Sequence, residues 1–279
     1  MPQGSESHIT SPQNPHVKEL VELRKDGELR RERKRFLIEG RRGVAAALEA
    51  PHVLVHEVLY CDHVLKEPEL VERARGKGVP LVKVSKDVFK KIADVVTPQG
   101  IAAVVRIPEW SLGELLAAPD ALLVAACGLQ DPGNLGTLIR SCEAAGAAGL
   151  VALEGTADPF NAKVVRSTAA ALLTLPIVRM KRVEFLAAAQ AGKLRLVATA
   201  ARGGTSYKHF DWTTRPLALC IGSEGEGLPS EIESACREKV TVPMRGAAES
   251  LNAAVAASIL LFAAQAGLAG GGVGDRVIE

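Results

Sequence analysis

Residues 219–229 read LCIGSEGEGLP. An apolar run ends at Gly222, and Gly225 and Gly227 follow with Glu224 between them. Glycines at the end of a strand let backbone approach a ligand and permit positive φ. A dinucleotide fingerprint would read G-x-G-x-x-G and open a helix in the first strand–helix unit. Here the spacing is G-x-x-G-x-G and falls late in the chain, which disfavours a nucleotide-dependent oxidoreductase. Working outward, short apolar runs recur at 122–126, 150–153, 175–178, 194–199, 217–221 and 240–242, mostly separated by helical segments. Continuous apolar strands between helices predict an α/β fold with a parallel sheet covered on both faces.

Two further segments flank the glycine run. LQDPGNLGTLIRSCEAAGA, 129–147, follows a buried strand. Pro132, Gly133 and Gly136 shape a turn, and a helix runs through Arg140. Asn134 and Arg140 are six apart and share no helical face, so Asn134 is expected in the turn and Arg140 on the helix. VTVPMRGAAESLNAAVAAS, 240–258, ends a strand at Pro243. A helix should start near Ser250, its candidate N-cap, with Asn252 in the first turn offering a directed amide.

The first half is organised differently. Asn14 and Pro15 predict a capped helix to about Lys25. Strands are expected at 36–39, 53–60, 81–84 and 101–107. Helices are expected after the first of these through Glu49, at 66–77, and after Ser85 through Asp94. This makes a small α/β domain over 1–107, a linker over 108–120 and a second domain over 121–279. Between Lys18 and Arg42 lie ten Lys/Arg and six Asp/Glu. Lys34, Arg35, Arg41 and Arg42 bracket the apolar FLIEG and form a candidate phosphate-binding surface. The competing reading pairs them with Glu28, Glu32 and Glu39 as a solvated face.

Composition narrows the classes. The chain has 279 residues, 47% hydrophobic and 24% charged, which suits a soluble globular protein. Aromatics are 4%, too few for RNA read mainly by stacking. Net charge is +2, so any nucleic-acid site is a local patch. The five cysteines are scattered without CxxC, which argues against structural zinc and fits a reducing cytoplasm. The amino terminus lacks an apolar signal core. The uncharged stretch 253–270 is alanine-rich and holds Ser258 and Gln265, so it reads as a core or interface helix and not a membrane span.

Together, N-x-G-x-x-x-R (Asn134, Gly136, Arg140), I-G-S-E-G-x-G (Ile221 to Gly227) and P-M-x-G-x-x-x-S-L-N (Pro243 to Asn252) resemble the three motifs of the SpoU/TrmH-type RNA ribose 2′-O-methyltransferases of the SPOUT superfamily. FLIEG followed by Arg41 resembles, more weakly, the substrate-binding domain that often precedes them. The resemblance implies a deep trefoil knot in the second domain, a ribosomal-protein-L30e-like first domain, and a homodimer with a shared active site. It implies S-adenosylmethionine as cofactor, lined by Thr199, Ile221, Gly222, Val242, Met244 and Leu251, with no metal. It implies an RNA partner bound through Lys34, Arg35, Arg41 and Arg42, ribosomal more often than transfer RNA. Asn134, Arg140, Glu224, Ser250 and Asn252 are the implied catalytic residues. Arg140 stays protonated, so its expected role is to grip the phosphate beside the target ribose while the others orient it. One departure stands out. Members often carry S-x-G-A where this chain reads Thr168-Ala169-Ala170-Ala171. The alternatives are a transfer-RNA methyltransferase and an RNA-binding module with an inactive domain, against which the intact motif residues argue.

Overall fold

Every apolar run of the second half is a strand, buried because helices cover both faces of the sheet that it joins. The computed structural model describes residues 6–93, 95–246 and 249–269. Asp94 and Gly270, the ends of two expected segments, lie outside the described residues.

The chain forms two compact units, Met1–Pro108 with Asp158–Thr174, and Glu109–Ala157 with Leu175–Glu279. In the first unit the elements are β1 (Glu6–Ile9), α1 (Pro15–Lys25), α2 (Gly27–Arg33), β2 (Arg35–Glu39), α3 (Arg41–Glu49), β3 (Val55–Tyr60), α4 (Glu69–Gly76), β4 (Leu81–Val84), α5 (Lys86–Ile92) and β5 (Ile101–Arg106). Its sheet has the order β1-β4-β3-β5-β2. β1, β4 and β3 run parallel, and β5 is antiparallel to β3 and β2. Asn14 and Ser85 cap α1 and α5 as expected, accepting from His16 N and Val88 N. Helix α4 starts at Glu69 and not Lys66, with Pro68 at its N-cap. Helix α2, in the charged segment, is capped by Asp26, which accepts from Glu28 N and Leu29 N. Leu20, Leu37, Leu59, Val82, Phe89 and Ile92 belong to the core.

Segment 158–174, expected in the second domain, belongs to the first unit, and specific contacts explain why. Arg30 is 2% exposed. Its Nε and Nη2 donate to Asp158 Oδ2 at 2.8 and 2.7 Å. Its Nη1 donates to the carbonyls of Leu23 and Arg24 at 2.8 Å. Phe160 packs on Phe36 with ring centroids 5.1 Å apart. A buried, fully bonded ion pair costs about 3–5 kcal/mol to break by removing one partner. The segment carries α8 (Ala162–Ser167) and a 3₁₀ turn at Ala171–Leu173.

The second unit holds α6 (Leu112–Leu115), β6 (Leu122–Cys127), α7 (Pro132–Ala144), β7 (Gly149–Leu153), β8 (Ile177–Met180), α9 (Arg182–Ala191), β9 (Arg195–Thr199), β10 (Thr205–Ser206), β11 (Leu217–Gly222), α10 (Ser230–Ala235), β12 (Glu238–Thr241) and α11 (Ala253–Ala269). The expected linker therefore contains a helix. Ser111 Oγ accepts from Glu114 N and Glu114 accepts from Ser111 N, a capping box that the linker reading overlooked. Leu112 and Leu115 anchor α6 in the core. β8 starts two residues later than expected because Pro176 has no N–H to donate. All seven strands pair in parallel, in the order β10-β12-β9-β11-β6-β7-β8. β11, late in the chain, inserts between β6 and β9, so the loops after β6, β9, β11 and β12 leave one end of the sheet. Ligands of open α/β sheets bind at that carboxyl end. Among the described residues, no helix is long and apolar enough to cross a membrane.

Candidate active site

Two helix amino termini meet at Glu224. Asp131 caps α7, accepting from Asn134 N at 2.7 Å. Asn134 thus lies in the first turn of α7, which corrects its expected place in the preceding loop: Pro132 opens the helix instead of ending the turn. The cap of α11 is also displaced from expectation. Asn252, not Ser250, holds it, its Oδ1 accepting from Ala254 N and Val255 N at 3.0 and 3.2 Å. The other end of the Asn252 amide donates to Asn134 Oδ1 at 2.8 Å and to Glu224 Oε1 at 2.7 Å. Asn134 Nδ2 and Ala253 N donate to the same carboxylate oxygen, each at 3.2 Å. Helices α7 and α11 run parallel. Ser141 Oγ meets Ser258 Oγ at 2.6 Å one step down, and Gln265 Nε2 donates to Gly146 O at 3.2 Å beyond the end of α7. The first turns of both helices therefore hold the Glu224 carboxylate between them.

Behind this cluster lies a cavity of about 440 Å³. Thr199, Ile221, Gly222, Val242, Met244 and Leu251, the six residues expected around a cofactor, all line it. Glu224 and Ser250 are on its wall. The glycine loop folds back on itself. Ser223 N donates to Gly227 O at 3.1 Å and Gly227 N to Ser223 O at 3.0 Å. A Cβ on Gly222 would stand 2.3 Å from the backbone of Gly227, and Gly227 has φ +71°. The close return of this loop requires both glycines. Thr199 Oγ1 donates to Cys220 O at 2.9 Å and fixes the end of β9 against β11. A smaller cavity of about 280 Å³ touches Asn134 and Glu224 as well, lined by Leu129, Gln130 and Asp131.

Other site residues stand apart. Arg140 is exposed on α7, about 9 Å further along the axis than Asn134 and roughly 120° around it. Its side chain makes no hydrogen bond or ion pair with a described residue. Sequence reasoning missed Glu233 and Lys239, paired at 2.6 Å on the cavity wall. They meet only because α10 leads directly into β12, and no motif signals that. The four expected RNA-binding residues do not form one patch. Lys34, at φ +51°, and Arg35 are exposed at the start of β2, whereas Arg41 and Arg42 open α3 beyond its other end, about 20 Å away at the rise of a strand. Arg41 pairs with Glu67, and Glu28 pairs with Arg31, so for these two residues the partners are not the expected ones. Among the described residues, no group of three or more His, Cys, Asp or Glu could hold a metal. All five cysteines are free and buried.

Residues 121–262 match the model of the SpoU rRNA methylase family, and residues 14–103 match that of the MRM3-like substrate binding domain. The 23S rRNA (guanosine(2553)-2′-O)-methyltransferase RlmP of Bacillus subtilis is 36% identical over 254 residues, which span 91% of this chain and 97% of that protein. Among solved structures, an AdoMet-bound rRNA methyltransferase from Sinorhizobium meliloti superposes with a TM-score of 0.84 at 30% identity, covering 94% of this chain and 98% of that one. The SpoU methyltransferase AviRb from Streptomyces viridochromogenes, in complex with AdoMet, superposes with a TM-score of 0.82 at 30% identity, covering 92% and 100%.

Proposed function

Because the chain belongs to the SpoU rRNA methylase family, we propose that it transfers a methyl group from S-adenosylmethionine to a ribose 2′-hydroxyl of ribosomal RNA. One observation carries this reading: Glu224, held by the amides of Asn134 and Asn252, stands on the wall of a cavity that is lined by all six expected cofactor positions. The cavity suits that cofactor. Ile221, Val242, Met244 and Leu251 offer apolar surface for a base, while Gly222 brings backbone to the ligand.

S-adenosylmethionine, held by the residues of the larger cavity, would supply an electrophilic methyl on a sulfonium for in-line attack by the 2′-oxygen, the S–C bond breaking to leave the thioether and the hydroxyl proton passing to solvent. The chain's task is alignment, which supplies several kcal/mol of barrier lowering. Asn134 and Asn252 hold Glu224 at the boundary of the two cavities, so the smaller one is the assigned place of the target ribose. Arg140, which lines neither cavity of its own chain, grips the phosphate beside the ribose bound to the other subunit of the proposed homodimer and stabilises the developing alkoxide there. Ser250 orients the nucleotide from the larger cavity's wall. The first unit brings the RNA, with Lys34 and Arg35 at one end of β2 and Arg41 and Arg42 at the other.

The insertion of β11 between β6 and β9, with α11 returning to β11's loop, supports a trefoil knot. An L30e-like fold for the first unit agrees with its mixed sheet of β1 to β5. The exposed Val255 and Phe262 of α11 support a homodimer. The reaction and the free thiols suit the cytoplasm. Mapping 2′-O-methylation in RNA from a deletion strain tests the function. Loss of one ribosomal site is expected. Loss at a transfer-RNA site would overturn the ribosomal assignment, and an unchanged map would overturn the activity.

A further inference from the structure

Arg35 and Arg106 are register partners in the antiparallel pair of β2 and β5, which puts their Cβ atoms about 4.5–5.5 Å apart. Both side chains are exposed, and neither is hydrogen-bonded or ion-paired to a described residue. Like charges directly opposite one another weaken a sheet. The contrast with neighbouring arginines is informative: Arg31, Arg33 and Arg41 pair with Glu28, Glu19 and Glu67. Acids are therefore at hand in this unit, yet none neutralises this pair.

Strand β3 adds a third group. Its ladder with β5 slips between Val55 and Glu57, leaving His56 as the extra residue of a β-bulge. Bulges re-aim side chains and often adjoin functional sites. Burial pushes the His56 imidazole below its ordinary pKa, the charges of Arg35 and Arg106 push the same way, and Glu57 opposes them. Glu57 itself is engaged by His16 at 2.9 Å. Glu49 and Lys77 line the groove that His56 shares, and Glu49 is paired with Arg73. The region is thus a cationic point on a nearly neutral protein, built from three adjacent strands.

We propose that Arg35, Arg106 and His56 form an anion site that takes a phosphate of the RNA backbone. This rests on reading the chain as an RNA methyltransferase and adds two residues, Arg106 and His56, to its RNA contacts. A phosphate bridging two guanidiniums turns a repulsive pair into a neutralised one and uses the bidentate geometry of arginine. Its negative charge also raises the proton affinity of His56, so binding takes up a proton and strengthens as pH falls.

The test uses the full chain and a short oligouridylate. Anisotropy should show Arg106→Gln weakening binding about tenfold, with the log–log salt slope smaller by about one. Arg106→Lys should recover part of the loss. Without RNA, Arg106→Gln should melt at a higher temperature than the parent, since repulsion is removed; a merely structural arginine would give the opposite. Nuclear magnetic resonance of the histidines should show the His56 pKa rising when oligouridylate is added. Parental affinity and slope in Arg106→Gln, or a His56 titration indifferent to oligouridylate, would overturn the site. A response of His56 to inorganic phosphate with none to oligouridylate would mark a free-anion site and overturn the RNA assignment. Calorimetry with S-adenosylmethionine on the same samples separates the two readings. Failure of the parent to bind it would remove the methyltransferase reading, whatever the anion site does.

Discussion

Asn252 does two things with one amide. Its oxygen caps α11 and its nitrogen holds Glu224 and Asn134. The two roles separate by substitution. Asn252→Ser keeps a capping oxygen and loses the nitrogen, so stability should stay within about 0.5 kcal/mol while methyl transfer falls at least tenfold. Asn252→Ala should also lose the cap, about 1 kcal/mol of stability; denaturant melts and turnover assays on both variants decide this. Arg140→Ala should abolish methylation and leave S-adenosylmethionine affinity nearly unchanged by calorimetry, because Arg140 does not line the larger cavity. A third residue bears the cost of a departure from the family pattern. Ala170 stands where members often carry glycine, and its φ is +79°. A left-handed alanine costs about 1–2 kcal/mol, partly offset by the extra unfolded-state entropy that glycine brings. Ala170→Gly should therefore raise unfolding free energy by about 0.5–1 kcal/mol, measured by urea denaturation.

At the scale of elements, β12 is the strand on which the cavity most depends, since Val242 and Met244 follow it. It is tied to β9 by Arg195, whose Nε and Nη2 both donate to Glu238 at 2.6 Å. That interaction holds the Glu238 carboxyl below its usual pKa, and hydrogen bonds from Thr213 and Thr214 do the same for Asp211 beside Arg195. A carboxyl whose pKa falls on folding binds fewer protons in the native state than in the unfolded one. Its stabilisation is complete above about pH 4.5 and is lost as pH drops through the lowered value. Thermal melts between pH 6 and pH 3 should fall steeply, and Arg195→Gln should flatten that fall. The glycine loop is the second such element. Gly222→Ala forces a Cβ into the backbone of Gly227, so S-adenosylmethionine affinity should drop by tenfold or more.

For the molecule as a whole, α11 buries Ala254, Ala257, Leu260, Leu261 and Ala264 but leaves Val255 44% and Phe262 53% exposed. These two are seven apart and share one helical stripe. The proposed homodimer covers that stripe. Light scattering should give twice the 29.4 kDa of one chain, and Phe262→Glu should shift the mass toward the monomer while circular dichroism stays unchanged.

The sequence by itself determined six of the seven strands of the parallel sheet, because a strand covered on both faces is largely apolar and needs no partner to be recognised; the two-residue β10 carries no such signal. The glycine loop was legible in its spacing, and the resemblance of the three motifs pointed to six residues that line the larger cavity, whereas Glu233 and Lys239 on the same wall carry no motif. The sequence did not determine which asparagine caps α11, because Ser250 and Asn252 are both good caps and the choice is made by what the unused end of the side chain meets. Nor did it place segment 158–174, whose attachment to the first unit rests on Arg30 meeting Asp158 across 128 residues. The basic residues show the same division. Local charge density groups Lys34, Arg35, Arg41 and Arg42, but an extended strand carries its two ends apart. Strand pairing, a contact between residues far apart in sequence, decides instead that Arg35 stands opposite Arg106.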